Sequence, residues 1–175
     1  MHAYRHGLAA LAVVALGGPA QAGGDGVVES AEHQFRLALG ADWARISPAP
    51  GPEQIIESRV QADTGRTLVV VRMDYPNPDA WRGRRSFFDA VEAGFRSACV
   101  GYRRLRVHRG RLQRVPVLDL AFSRERDGAR QTVQVRALFF RTYSLVLVIT
   151  SPGSRRHALR ELRAQAAEFR PFFVG

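Results

Sequence analysis

Hydrophobic and polar positions alternate most regularly between residues 115 and 150, VPVLDLAFSRERDGARQTVQVRALFFRTYSLVLVIT. Asp127-Gly128 interrupts the alternation with a pair suited to a type I′ turn, which needs positive φ at both central positions. With those two as the loop, Arg126 faces Ala129 and the register follows residue by residue. Phe122 meets Val133, Leu120 meets Val135 and Leu118 meets Ala137 on one face. Ser123 meets Thr132, Ala121 meets Gln134, Asp119 meets Arg136 and Val117 meets Leu138 on the other. Because the side-chain period is two, a slip of one residue would destroy this agreement. Residues 143–150 form a third strand that is apolar on both faces, Leu145, Leu147 and Ile149 against Val146 and Val148. Such a strand belongs at the centre of a sheet covered on both sides.

The same reading extends along the chain. Residues 27–29 and 33–39 predict two short strands, with Phe35, Leu37 and Leu39 on one face. Trp43 follows a turn, and 47–53 (SPAPGPE) is a loop by composition. Alternation at Ile56, Ser58, Val60 and Ala62 predicts a hairpin of 55–62 with 67–74. After a loop at 76–85, Ser86 and Asp89 resemble a capping box opening a helix over 86–99. Its stripe is Phe88, Val91, Phe95 and Ala98, widened by Phe87, and Gly101 stops it. Residues 102–115 predict a strand and turn, with Leu105 and Val107 facing inward and Arg104, Arg106 and His108 outward. A second helix over 154–169 carries Leu159, Leu162, Ala166 and Phe169 at helical spacing. The fold class expected is α+β, an α/β/α sandwich with helices packed on a mainly antiparallel sheet.

The N-terminus changes where this fold is placed. Arg5, an apolar run at 8–16, the breakers Gly17, Gly18 and Pro19, and an Ala20-Gln21-Ala22 cleavage pattern read as a secretory signal peptide over 1–22. The run is too short to span a bilayer, which takes about 20 apolar residues. The expectation is a periplasmic or secreted protein, a monomer whose single α/β domain spans 23–175 and has no transmembrane segment. Cys99 is the only cysteine, so no intramolecular disulfide can form. The formal net charge is +10, and all 26 basic residues are arginine.

The order of elements, an early F-x-L-x-L…W (Phe35, Leu37, Leu39, Trp43), the helix start at Ser86, Phe88 and Val91, the Asp-Gly hairpin and the closing helix near Phe169–Phe172 together resemble the PsbP-like family. Gly40 stands where many members have a proline before the tryptophan turn. That family includes extrinsic subunits of the photosynthetic oxygen-evolving complex and bacterial envelope proteins, and shares its fold with a small Ran-binding transport factor. The resemblance implies an α/β/α sandwich and an accessory, non-enzymatic role. It transfers no functional residue.

Catalytic chemistry finds little footing. There is no G-x-S-x-G elbow for a serine nucleophile, and Cys99 at a helix C-terminus lacks what lowers a thiol pKa. His33, His108 and His157 are too far apart for a ligand motif, and His33 beside Glu29 and Glu32 reads as an exposed cluster. Asp89 and Glu92 read as a solvated helix face, and no glycine loop cradles a phosphate, so no cofactor is expected. One feature stands above background: Arg103, Arg104, Arg106, His108, Arg109, Arg111 and Arg114 fall within 12 residues, with Arg82, Arg84 and Arg85 as a second cluster. Arg104, Arg106 and His108 on one strand face would form a ridge for phosphate or carboxylate. Export argues against nucleic acid, and Tyr102 alone offers stacking nearby. The expected partner is an anionic envelope component or a protein. The alternative is a carrier whose apolar cleft, between sheet and helix, uses Phe139, Phe140, Trp43 and Trp81.

Overall fold

Asp127 and Gly128 have φ of +52° and +74°, as the type I′ turn requires. In the computed structural model, which describes residues 20–21, 26–47, 55–75, 84–153 and 156–173, they join β8 (Val115–Arg126) to β9 (Ala129–Phe139). The pairing runs from Arg126 opposite Ala129 to Val117 opposite Leu138, every pair as expected from the sequence. β10 (Tyr143–Pro152) pairs on one side with β9 and on the other with β6 (Arg66–Asp74), so the strand apolar on both faces is central. β5 (Ile55–Gln61) completes the predicted hairpin with β6.

Among the described residues the main sheet has eight strands, all antiparallel. β7 (Arg103–Leu112) lies outside β8 at one edge. At the other, β4 (Trp43–Ile46) extends the sheet beyond β5 and pairs with the two-residue β1 (Ala20–Gln21). Trp43 follows a turn, as expected, and also opens a strand. β2 (Val27–Ser30) and β3 (Phe35–Ala38) pair in a small second sheet with β11 (Phe169–Pro171). The final helix, α2 (Arg156–Ala167), stops short of Phe169, because that residue is drawn into β11 opposite Leu37.

Two apolar clusters make the sandwich. On one face Phe87, Val91 and Phe95 of α1 (Arg84–Ala98) pack on Leu118, Leu120, Val135 and Val146. On the other, Leu162 and Ala166 of α2, with Phe35, Leu37 and Phe169 of the small sheet, cover Leu138, Leu145, Leu147 and Ile149. This is the expected α/β/α arrangement. α1 begins at Arg84, so Ser86 lies inside the helix and is not its cap. Phe139 belongs to the first cluster whereas Phe140 and Trp43 belong to the second. The sheet separates them, and they cannot line one apolar cleft. Trp81 and Arg82 fall outside the described residues, as do the side chains of Arg84, Arg85 and His157.

Candidate anion-binding cleft

β7 departs from regular pairing at one point that decides where its arginines go. Arg104 faces Phe122 and Arg106 faces Ala121, leaving Leu105 as the extra residue of a β-bulge, 46% exposed. Leu105 is thus not inward-facing as its spacing from Val107 suggested. The bulge also splits the basic stripe. Arg104 and Arg109 share the face of Phe122 and Leu118, toward α1, while Arg106 and His108 share the opposite face with Ala121 and Asp119. The expected ridge of Arg104, Arg106 and His108 on one face does not exist.

On the α1 side the arginines are paired. Glu92, read as a solvated acid, is 5% exposed. Its Oε1 accepts from Arg104 at 3.0 Å, Arg96 at 3.2 Å and the Tyr102 hydroxyl at 3.4 Å. Burial, followed by the Glu92 charge, pushes the Tyr102 hydroxyl up to about 12. Arg109 bonds Asp89 at 2.6 Å and lies over the Phe88 ring. Tyr102 packs on Phe122 and is no free stacking platform. Arg103, Arg111 and Arg114 are exposed. Arg114 lies in the turn between β7 and β8, where it and Gln113 both have positive φ.

The opposite face holds a cleft of about 510 Å³ between β7, β8 and β9 and the flank of α2. Its floor is two cross-strand rows, Arg106–Ala121–Gln134 and His108–Asp119–Arg136. Its wall is the i, i+3, i+4, i+7 stripe Arg160, Arg163, Ala164 and Ala167, adjacent to the Ala158, Leu162 and Ala166 stripe that α2 buries. Alanines at 121, 164 and 167 keep the space open. Four arginines thus meet one acid, and that acid is occupied: Asp119 takes Arg136 in a two-point bond of 2.6 and 2.9 Å. The His108 Nδ1 lies 3.8 Å from Asp119. Gly110 leaves room for that ring, since a Cβ there would come within 3.0 Å of it. Among the described residues Arg106, Arg160 and Arg163 have no acidic partner, whereas Glu161 of α2 is bonded to Arg66.

Sequence reasoning found Arg106 and His108 and the Asp119–Arg136 pair, but not Arg160 and Arg163. The available signal was their helical spacing beside the Leu162 stripe. Among the described residues no group of three or more His, Cys, Asp and Glu side chains is placed to hold a metal. His33 lies between Glu32, at 3.9 Å, and Arg72, at 3.3 Å, and Cys99 is buried in the α1 cluster. No helix there is long and apolar enough to cross a membrane.

Fold and site together define a class, an antiparallel α/β/α sandwich with an arginine-lined cleft in one layer. No protein-family model matches the chain, and no curated protein matches it significantly. Solved structures do. The cyanobacterial PsbP of Synechocystis sp. PCC 6803 superposes with a TM-score of 0.57 at 10% identity, over 90% of this chain and 99% of that one. The Ran-binding protein Mog1p of Saccharomyces cerevisiae superposes with a TM-score of 0.54 at 10% identity, over 90% and 97%. The chain therefore has the fold shared by PsbP and Mog1p, as its pattern of elements implied.

Proposed function

We propose that this chain is an exported, non-catalytic accessory protein of the cell envelope, which works by holding an anionic partner on the basic side of its main sheet. One observation carries the reading: Arg106, Arg160 and Arg163, from a strand and a helix far apart in sequence, converge on one cleft whose single acid among the described residues, Asp119, is taken by Arg136. Guanidinium groups are suited to planar, two-point recognition of phosphate and carboxylate, and they stay charged at any physiological pH. The leader pattern at 1–22 supports export, and its removal would take β1 from the sheet edge while leaving the cleft intact. The fold is compatible with a binding role, since Mog1p is a Ran-binding protein.

Immobilised polyphosphate tests this. The protein should be retained at low ionic strength and released as the Debye length shrinks from about 30 Å at 0.01 M to about 8 Å at 0.15 M. No retention at low salt overturns the reading, as does retention indifferent to salt. A carrier of a small ligand is the second reading, favoured by the cleft's volume of about 510 Å³.

A further inference from the structure

Gln134 is the polar group that charge alone leaves unexplained. It is 2% exposed and lines the cleft. Its Nε2 donates to the Val135 carbonyl at 3.0 Å, while its buried Oε1 accepts from no group among the described residues. A buried acceptor left without a donor is costly, so a ligand that brings one gains from it. A carboxylate or fully ionised phosphate brings only acceptors. The cleft thus makes two demands of one molecule: negative charge for the arginines, and a hydroxyl or similar donor for Gln134.

The charge demand exceeds one carboxylate. Four arginines against a single aspartate, with three of them lacking an acidic partner among the described residues, fit a group of higher charge. A phosphoryl group brings about −1.5 to −2 at neutral pH and three acceptor oxygens. A bare phosphate would leave much of the volume unfilled, because sites of about 300–1,000 Å³ take molecules the size of a cofactor or drug. Ala121, Ala164 and Ala167 add apolar patches to the lining that suit a carbon skeleton, beside His108 and Asp119.

We infer that the cleft between β7–β9 and α2 binds a phosphorylated polyol or sugar, with its phosphoryl group on Arg106, Arg160 and Arg163 and a hydroxyl donating to Gln134 Oε1. The inference rests on the anionic reading above and narrows it to a ligand class. A free sugar phosphate and the headgroup of a glycophospholipid share phosphoryl oxygens and ring hydroxyls, the monoester bringing nearly two negative charges and the lipid's diester one.

Calorimetric titration of the leader-free protein with inorganic phosphate, myo-inositol 1-phosphate and myo-inositol tests it, alongside flotation with phosphatidylcholine vesicles with and without phosphatidylinositol. Inositol 1-phosphate should bind tighter than inorganic phosphate, and inositol should not bind. Arg160→Gln with Arg163→Gln, both on the exposed helix flank, should weaken binding by about tenfold per guanidinium lost. Arg111→Gln with Arg114→Gln, away from the cleft, should leave it unchanged. Gln134→Met should keep phosphate binding and lose the preference for inositol 1-phosphate; far-ultraviolet dichroism checks that this variant folds. Flotation with phosphatidylinositol vesicles assigns the headgroup as the source, and binding of the free ester alone assigns the soluble one. Equal affinity for inorganic phosphate and its inositol ester overturns the inference. So does an Arg160/Arg163 variant that binds as well as the parent. If the first occurs while polyphosphate retention persists, the broader anionic reading stands and only the ligand class falls; if the second occurs, the cleft is not where the anion binds.

Discussion

Asp119→Asn separates what the cleft needs for stability from what it needs for binding. The Asp119 carboxylate holds Arg136 at two points, with the two side chains 22% and 15% exposed. A hydrogen bond to a charged group contributes about 1.5–3 kcal/mol, and this pair is less screened than a surface one. Asparagine keeps one acceptor, so the expected loss is near the bottom of that range, about 1.5 kcal/mol. Binding should move the other way. For a carboxylate and an anion taken as roughly 7 Å apart, with an effective dielectric between about 20 and 80, the repulsion is roughly 0.6–2.4 kcal/mol per unit charge. Removing it should tighten phosphate binding by about 3- to 50-fold at low salt. Urea denaturation reads the first quantity and calorimetric titration with phosphate the second. A variant of parental stability that binds phosphate more weakly would refute the reasoning, because Asp119 would then be helping the anion and not opposing it.

Leu162→Ala should cost about 2–5 kcal/mol in urea denaturation, since Leu162 is 1% exposed and anchors α2 to the sheet; a loss below about 0.5 kcal/mol would mean that α2 docks through other residues. Gln113 and Arg114 occupy the β7–β8 turn at φ of +47° and +70°, a conformation that costs an L-residue roughly 1–2 kcal/mol. Gln113→Asn combined with Arg114→Gly, the pair such a turn favours, should therefore raise the melting temperature without altering phosphate binding. A lowered melting temperature contradicts that turn geometry. The Tyr102 hydroxyl is pushed up to about 12 by burial and then by Glu92, so the folded state holds its proton where an unfolded tyrosine, near pKa 10, has begun to lose it. This contribution to stability is therefore whole below about pH 10 and is lost as pH rises toward 12. Glu92→Gln should bring Tyr102 down toward 10, read as the tyrosinate absorbance that Tyr102→Phe removes; an unchanged titration contradicts the role of Glu92.

The meander was legible because Asp127-Gly128 admits one tight turn and the period of two propagates its register through residues 117–138. The cleft was half legible for the same reason, since that register already places Asp119 beside Arg136 and Ala121 beside Gln134. Its other half was not. A β-bulge adds one residue without a compositional mark, and the apolar spacing of Leu105 and Val107 looked like regular alternation. Glu92 occupies a helix position that suits solvent until Arg104 and Tyr102, contributed by the following segment, close over it. Arg160 and Arg163 are ordinary surface arginines on their own helix. They become a site only when the Leu162 stripe docks and aims their flank across β7–β9.

Side-chain resonances of Arg106, Arg160, Arg163 and Gln134, followed by NMR as phosphate is added, test the central claim most directly. Saturable shifts confined to these groups and the Asp119–Arg136 pair are the result expected. Shifts spread instead over Arg103, Arg111 and Arg114, with the cleft unmoved, would contradict it.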